Sequence, residues 1–250
     1  MKVIGVVPAR YGSTRFPGKA LALLRGRPMI LHVLEWSSRA PSLARVVVAT
    51  DDERIERVVQ EAGHQAIMTP AECRTGSDRV AAAVAGQDWD VVINIQGDEA
   101  EGDPAALEAM LAALTASPEC GVATAMTPLR RREDFESPHV VKAVADTAGR
   151  ALYFSRAPIP SAARLEPDEA AAAGFVWGWK HLGLYAFRRS VLEAFAEWPQ
   201  TPLERRERLE QLRLMEHGVA IRIIEVTHDA IGVDTPEELG ELESALRRKA

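Results

Sequence analysis

Cysteine is nearly absent: the 250 residues hold only Cys73 and Cys120, and no C-x-x-C spacing. That excludes a disulfide framework, a zinc knuckle and a dithiol redox centre, so both thiols are read as small buried hydrophobes. Long apolar runs are missing as well. The longest uncharged stretches are about ten residues, as in 109–118 and 170–179, well short of the ~20 that a membrane helix needs. The apolar start of the chain runs into Pro8 and Arg10 too early for a secretory leader. It is read as the first strand of a cytoplasmic protein. Aromatic residues make up only 6% of the chain, but 47% hydrophobic content supplies enough Val, Ile, Leu and Ala for a core and excludes disorder.

Two nucleotide signatures are also lacking. There is no G-x-G-x-x-G, which counts against a dinucleotide oxidoreductase. Gly12 and Gly18 enclose five residues where a Walker A loop has four, and Ala20 stands where that loop would hold magnesium with Ser or Thr. A broad basic face for nucleic acid is missing too, since the net charge is −6. The charge is unevenly spread, however. Residues 1–34 carry Lys2, Arg10, Arg15, Lys19, Arg25 and Arg27 with no acid, which leaves −12 on the remainder. A small basic island in an acidic chain suits a compact anionic ligand.

Short β-branched runs at 3–7, 46–49, 91–95 and 122–126 alternate with helical patterns at 29–39, 54–62, 77–85 and 104–116. This alternation predicts a three-layer α/β fold with helices on both faces of a mostly parallel sheet. Helix starts are marked by Thr50 with Glu53, Thr201 with Glu204 and Thr235 with Glu238 as capping boxes, and by Asp103-Pro104. Beyond residue 140 the pattern loosens. Strands are expected at 140–144, 182–187 and 222–226, an irregular Pro- and Ala-rich stretch at 157–174, and a closing helix at 235–249. With no low-complexity linker in view, the expectation is a single domain, 1–250, with a loop-rich insertion at about 140–200.

The loop after the first strand, Arg10 to Lys19, offers three cations, two hydroxyls (Ser13 and Thr14) and two glycines. Such a loop at a strand's carboxyl end is suited to phosphate; a solvated basic loop is the plainer reading. The strand at 91–95 runs into Gln96-Gly97-Asp98-Glu99, so its carboxylates emerge at a strand tip. Asp234 directly precedes a capped helix. Each aspartate has an ordinary reading, as a turn residue or as helix-terminal charge. Were the two to converge at about 4 Å, they would repel by roughly 4 kcal/mol at an effective dielectric of 20, and magnesium would be the expected resolution.

The blocks Pro8-Ala9-Arg10-Tyr11-Gly12-Ser13-Thr14-Arg15-Phe16-Pro17-Gly18-Lys19, Asn94-Ile95-Gln96-Gly97-Asp98-Glu99, Ala151 through Pro160, Lys180-His181-Leu182-Gly183-Leu184-Tyr185, Leu209-Glu210-Gln211-Leu212-Arg213 and Gly232-Val233-Asp234-Thr235-Pro236 resemble, in order, the signatures of the 3-deoxy-manno-octulosonate cytidylyltransferases, also called CMP-Kdo synthetases. The resemblance spans essentially the whole chain. It implies a Rossmann-like nucleotidyltransferase fold, a magnesium-dependent cytoplasmic homodimer, and conversion of CTP and Kdo to CMP-Kdo and pyrophosphate for lipopolysaccharide assembly. Nucleic acid and membrane insertion have no part in it. By the same resemblance, Arg10, Arg15 and Lys19 hold the triphosphate, while Asp98 and Asp234 hold Mg2+. Lys19, Arg10, Asp98 and Asp234 form the catalytic set. Pro8, Ala9 and the Thr75-Gly76-Ser77-Asp78-Arg79 turn line the cytidine, Arg74 also binds the nucleotide, and Gln96, Arg156, His181, Tyr185, Glu210 and Gln211 surround the sugar acid. Taken singly, His181 reads as a satisfied histidine at a strand start, and Glu210 and Gln211 as ordinary helix residues. An acceptor such as sialic acid or 8-amino-Kdo, or a non-catalytic nucleotide-binding protein, remains an alternative. Three segments depart from the family pattern: Ala100-Glu101-Gly102 where proline and apolar residues usually follow, Cys73-Arg74 before the glycine turn, and the bulky 175–179.

Overall fold

The computed structural model describes residues 1–12, 15–166, 168, 170, 172, 174–229 and 232–249. Ser13 and Thr14, expected to offer hydroxyls to phosphate, lie outside the described residues, as do parts of the irregular 157–174 stretch. The strands are β1 (Val3–Ala9), β2 (Leu23–Leu24), β3 (Arg27–Pro28), β4 (Arg45–Thr50), β5 (Gln65–Met68), β6 (Val91–Asn94), β7 (Val122–Leu129), β8 (Lys142–Ala145), β9 (Ala151–Ser155), β10 (Gly178–Arg188) and β11 (Ile221–Glu225). The helices are α1 (Met29–Ser37), α2 (Glu53–Glu61), α3 (Gly76–Val84), α4 (Pro104–Ala116), α5 (Arg132–Glu136), α6 (Arg189–Glu197), α7 (Pro202–Glu207), α8 (Gln211–Glu216) and α9 (Pro236–Lys249). The expected α/β class with a mostly parallel sheet is what the chain forms.

The chain divides into two compact units. The first comprises Met1–Glu108, Phe187–Ala196 and Ala230–Ala250; the second comprises Ala109–Ala186 and Glu197–Asp229. The insertion expected at about 140–200 falls mostly within the second unit, which begins earlier and extends further.

In the first unit the strand order is β6-β1-β4-β5, all parallel. β1 is central because it is apolar on both faces: Ile4, Val6 and Val7 are fully buried, as a strand covered on both sides requires. Helices α1 and α3 both pack against β1. A separate apolar cluster joins Leu24, Met29, Ala100, Val233, Leu242 and Leu246. At about 1.5–3 kcal/mol for each large buried aliphatic side chain, this cluster is what fixes α9, and the segment before it, against the loop that follows β6.

The helix starts follow the sequence in part. Asp103 accepts from Ala105 N at 2.9 Å, Glu204 accepts from Thr201 N at 3.2 Å while Thr201 Oγ1 is buried without a hydrogen-bond partner among the described residues, and Thr235/Glu238 form a reciprocal capping box. Thr50 and Glu53 do not form one. Thr50 is the last residue of β4, aligned with Met68 of β5. The helix therefore starts after Asp52, whose carboxylate accepts from Arg54 N at 3.0 Å. Thr75 and Asp78 form a further box, with Asp in place of the usual Glu at the third position.

In the second unit β11 runs parallel to β7, β7 neighbours β10, and β10-β8-β9 is antiparallel. The bulky 175–179 stretch packs internally: the Trp177 ring lies 5.3 Å from Phe175 and 6.2 Å from Phe135. A Cβ at Gly178 would lie 2.8 Å from the Phe135 ring. Glycine is required there.

Candidate functional site

Every residue of the first cleft belongs to the first unit. The carboxyl ends of β1 and β6 lie side by side, with Val6 opposite Asn94 and Ile95 N donating to Val6 O at 2.9 Å. Beyond that point the chain must cross Pro8. A Cβ at Gly97 would stand 2.8 Å from the Pro8 carbonyl oxygen, so only glycine lets the backbone pass and deliver Asp98 to the cleft. From β1, the basic loop turns back through Gly18, at φ 73°, whose N–H donates to Tyr11 O at 2.8 Å and whose conformation glycine supplies without strain. Lys19 follows in a short 3-10 turn.

Asp234 comes from far along the chain. Val233 N donates to Asp98 O at 3.1 Å, tying the two aspartate segments together by backbone. Glu238 Oε2 accepts from Asp234 N at 2.6 Å and from Thr235 N at 3.0 Å, which fixes Asp234 at the start of α9. Lys19 Nζ lies between the carboxylates, 2.9 Å from Asp98 Oδ2 and 2.9 Å from Asp234 Oδ1. Arg15 Nη2 adds a 2.7 Å contact to Asp234 Oδ2. Burial by itself would lower the Lys19 pKa, but the Asp98 charge and the hydrogen bonds to both carboxylates outweigh it and the net shift is upward. Burial would likewise raise Asp234, yet the hydrogen bond and charge of Lys19, with help from Arg15, hold it below the usual carboxylate range. The repulsion expected between two converging carboxylates is thus met by an ammonium group within the chain itself.

The cleft has a volume of about 330 Å³, in the range of small-molecule sites. Its walls include Pro8, Ala9, Arg10, Arg15, Lys19, Arg74, Gln96, Asp98 and Asp234, together with Thr75, Gly76 and Arg79 of the glycine turn. Ser77 does not line it. The Ser77 side chain is fully buried and its Oγ accepts from Asn94 Nδ2 at 3.0 Å. Arg79 is held from behind by Thr69 Oγ1 at 2.7 Å and Asp51 Oδ2 at 2.9 Å. Cys73, expected to be buried, stands in the cleft wall and is partly exposed, whereas Cys120 is buried.

A second group of polar side chains belongs to the second unit. His181, on β10, is walled by Phe154 at 4.8 Å and Tyr185 at 5.4 Å between ring centroids. Gln211, at the start of α8, directs its amide nitrogen at His181 Nδ1 from 3.5 Å. Glu210, the residue before it, carries a charge that adds to burial in raising the Tyr185 pKa. Arg156 is oriented by backbone: Nε donates to Glu207 O at 3.0 Å and Nη1 to Pro138 O at 3.1 Å. The fully buried Lys142 stiffens the same corner, donating to the carbonyls of Ser137, Val140 and Arg156 at 2.8, 2.7 and 2.6 Å. Arg156, His181, Tyr185, Glu210 and Gln211 thus share one unit, while Gln96 lines the cleft of the other. Sequence reasoning missed Thr124 and Lys142; nothing marks either within an ordinary strand pattern.

Burial pushes the His181 pKa down to about 3 from the 6.5 of a free imidazole. Between those values the unfolded chain binds a proton at this residue that the native chain does not, so stability falls as pH falls through the window, by at most about 1.4 kcal/mol per pH unit. His181→Gln is expected to remove this component. Urea unfolding at a series of pH values across the window checks it; parallel curves for the two proteins would refute it.

The cytidylyltransferase family model matches residues 4–223. The chain is 44% identical over 251 residues to a 3-deoxy-manno-octulosonate cytidylyltransferase from Trichlorobacter lovleyi, covering 99% of this chain and 100% of that protein. It is 46% identical over 248 residues to the protein of the same name from Syntrophotalea carbinolica, covering 99% of each. Among solved structures, a CMP:2-keto-3-deoxy-manno-octonic acid synthetase complexed with CTP matches over the full length of both chains, with a TM-score of 0.90 and 40% identity. A cytidylyltransferase from Leptospira borgpetersenii serovar Hardjo-bovis shares the fold, with a TM-score of 0.64 at 18% identity over 99% of this chain and 87% of that one.

Proposed function

Because the chain belongs to the cytidylyltransferase family, and within it to the 3-deoxy-manno-octulosonate cytidylyltransferases, we propose that it transfers CMP from CTP to the anomeric 2-hydroxyl of Kdo with release of pyrophosphate. The observation that carries this reading is the meeting of Lys19, Asp98 and Asp234 in a cleft that Arg10, Arg15 and Arg74 also line. Arg10, Arg15 and Lys19 bind the triphosphate, neutralising charge on the transferred group and on the departing pyrophosphate, as phosphoryl transfer demands. Pro8, Ala9, Arg74 and the glycine turn take the cytidine. In the second unit Arg156 takes the sugar carboxylate, and His181, Tyr185, Glu210 and Gln211 receive hydroxyls.

The residues present fit magnesium. Asp98 and Asp234 offer hard oxygens 2.9 Å from a single cationic nitrogen, and no cluster of three or more His, Cys, Asp or Glu occurs among the described residues, so water and phosphate would complete the shell. Held by these two carboxylates, the ion would neutralise phosphate charge and acidify the attacking hydroxyl. The same reading carries a cytoplasmic homodimer serving lipopolysaccharide assembly. Among the described residues no helix is long and apolar enough to cross a membrane.

Pyrophosphate release with CTP, ATP, GTP and UTP, each with Kdo, 8-amino-Kdo and sialic acid, tests base and acceptor together. Turnover is expected with CTP and Kdo. Preference for another sugar acid would move the acceptor assignment, and CTP binding without turnover on any of them would favour a non-catalytic protein.

A further inference from the structure

Thr124, in the middle of β7, is fully buried and its hydroxyl has three neighbours: His181 Nε2 at 2.9 Å, Leu184 O at 2.7 Å and Leu182 O at 3.3 Å. A hydroxyl has one proton to donate and lone pairs to accept with. Both carbonyls can only accept, and a 2.7 Å separation between two oxygens needs a hydrogen between them. The Thr124 proton therefore goes to Leu184 O. His181 Nε2 must then be the donor, giving its proton to Thr124 Oγ1. Were Nε2 unprotonated, it would claim the hydroxyl proton and leave two oxygen atoms in bare contact at 2.7 Å.

One consequence follows for the other ring nitrogen. A neutral imidazole carrying its proton on Nε2 presents a lone pair at Nδ1. The Gln211 amide approaches that nitrogen only at 3.5 Å, the far limit of a hydrogen bond, so Nδ1 retains capacity for a better donor. Phe154 and Tyr185 prevent the ring from tilting away.

We infer that Thr124 is a positioning residue for acceptor binding: it locks His181 in the Nε2–H tautomer, so that Nδ1 reads a hydroxyl of the sugar acid as a hydrogen-bond donor. The inference rests on the proposed assignment of His181 to the sugar site. Thr124 touches no substrate itself; its effect passes through the imidazole.

The test uses the full-length protein with 15N-labelled histidine, as wild type, Thr124→Val and Thr124→Ser. Long-range 15N–1H spectra assign the His181 tautomer, and steady-state kinetics with Kdo and CTP are run on the same samples. Wild type is expected to show the Nε2–H pattern. Thr124→Val should lose it and raise KM for Kdo about tenfold, the equivalent of one hydrogen bond of ~1.4 kcal/mol, with KM for CTP unchanged. Thr124→Ser, which keeps the hydroxyl, should restore both readouts; an unchanged KM for CTP shows that the valine protein is folded. A wild-type Nδ1–H pattern overturns the inference. So does a Thr124→Val protein that keeps the Nε2–H pattern, or one that loses it with no change in KM for Kdo. A wild-type protein inactive on Kdo would overturn the proposed function instead, while the spectra still decide whether Thr124 sets the tautomer.

Discussion

Asp98→Asn is expected to lower kcat by about 100- to 1,000-fold at saturating magnesium, the size of effect seen when one pre-organised electrostatic contact is removed from a reacting centre, and Asp234→Asn should fall in the same range. The amide is nearly isosteric but carries no charge, so Lys19 keeps one anionic partner where it now has two and the hard-oxygen pair is halved. The fold should tolerate the change. Asp98 is joined to Val233 through its backbone carbonyl, which the substitution leaves alone, and the apolar cluster around Val233 and Leu242 is untouched. Arg15 compensates little, since its side chain is 61% exposed and exposed pairs are weak. Steady-state pyrophosphate release, with a thermal melt as control, reads the outcome; wild-type turnover in Asp98→Asn would remove this residue from the mechanism. The raised Lys19 pKa means that the Lys19 contribution is complete below about 10.4 and lost only as pH rises through the folded value. The lowered Asp234 pKa means that the Asp234 contribution is complete above about 3.9 and lost as pH falls through its folded value. The defect in the asparagine variants should therefore be flat with pH across the neutral range.

Arg213→Met is expected to destabilise the second unit by about 3–5 kcal/mol, the cost of leaving one member of a buried ion pair alone. Arg213 is fully buried and Glu204 is 3% exposed. Their contact is bidentate: Nε to Oε2 at 2.9 Å and Nη2 to Oε1 at 2.6 Å. The same carboxylate accepts from Thr201 N at 3.2 Å at the start of α7, so a stranded Glu204 would burden that helix start as well. Combining Arg213→Met with Glu204→Gln should recover most of the loss, because glutamine keeps an acceptor for Thr201 N while removing the charge. Urea denaturation of the single and double variants provides the measurement, and equal midpoints for the two would show that the buried charge is not the cause. Because the pair frames the turn that carries Glu210 and Gln211, residual folded Arg213→Met protein should also bind the sugar acid less tightly.

The parts of this molecule legible in the sequence are those with a local cause. Val3 to Val7 form a strand because a run of β-branched and apolar residues with no polar face has to be buried on both sides, and Thr201 and Thr235 start helices because their glutamates lie at the reciprocal spacing. The apolar run before Asp98 puts it at a strand tip. β5 escaped notice because an edge strand with exposed Gln65 and Met68 shows no apolar alternation. The helix starts at Asp52 although the local pattern points to Thr50, because only the partner strand decides how far β4 runs. Convergence of Asp98 with Asp234 depended on long-range packing that no local pattern contains, and only the family resemblance put the two side by side. The motif alone points Ser77 at the cleft wall, whereas one residue's difference along a helix turns a side chain inward to Asn94. The tautomer of His181 was beyond reach of the sequence, since the pairing of Thr124 with residues 181–184 is set by strand neighbours across the sheet.

Within the Ala100-Glu101-Gly102 segment, the glycine has its explanation in Trp36. The indole N–H donates to Glu99 O at 2.9 Å, and the ring occupies the space a Cβ at Gly102 would need, 2.3 Å away. Positions 36 and 102 are therefore a coupled pair that can drift only in concert: a mutation giving 102 any side chain would be tolerated only in a lineage that had already shrunk the aromatic group, and the two columns should vary together wherever relatives carry a bulkier residue at this point.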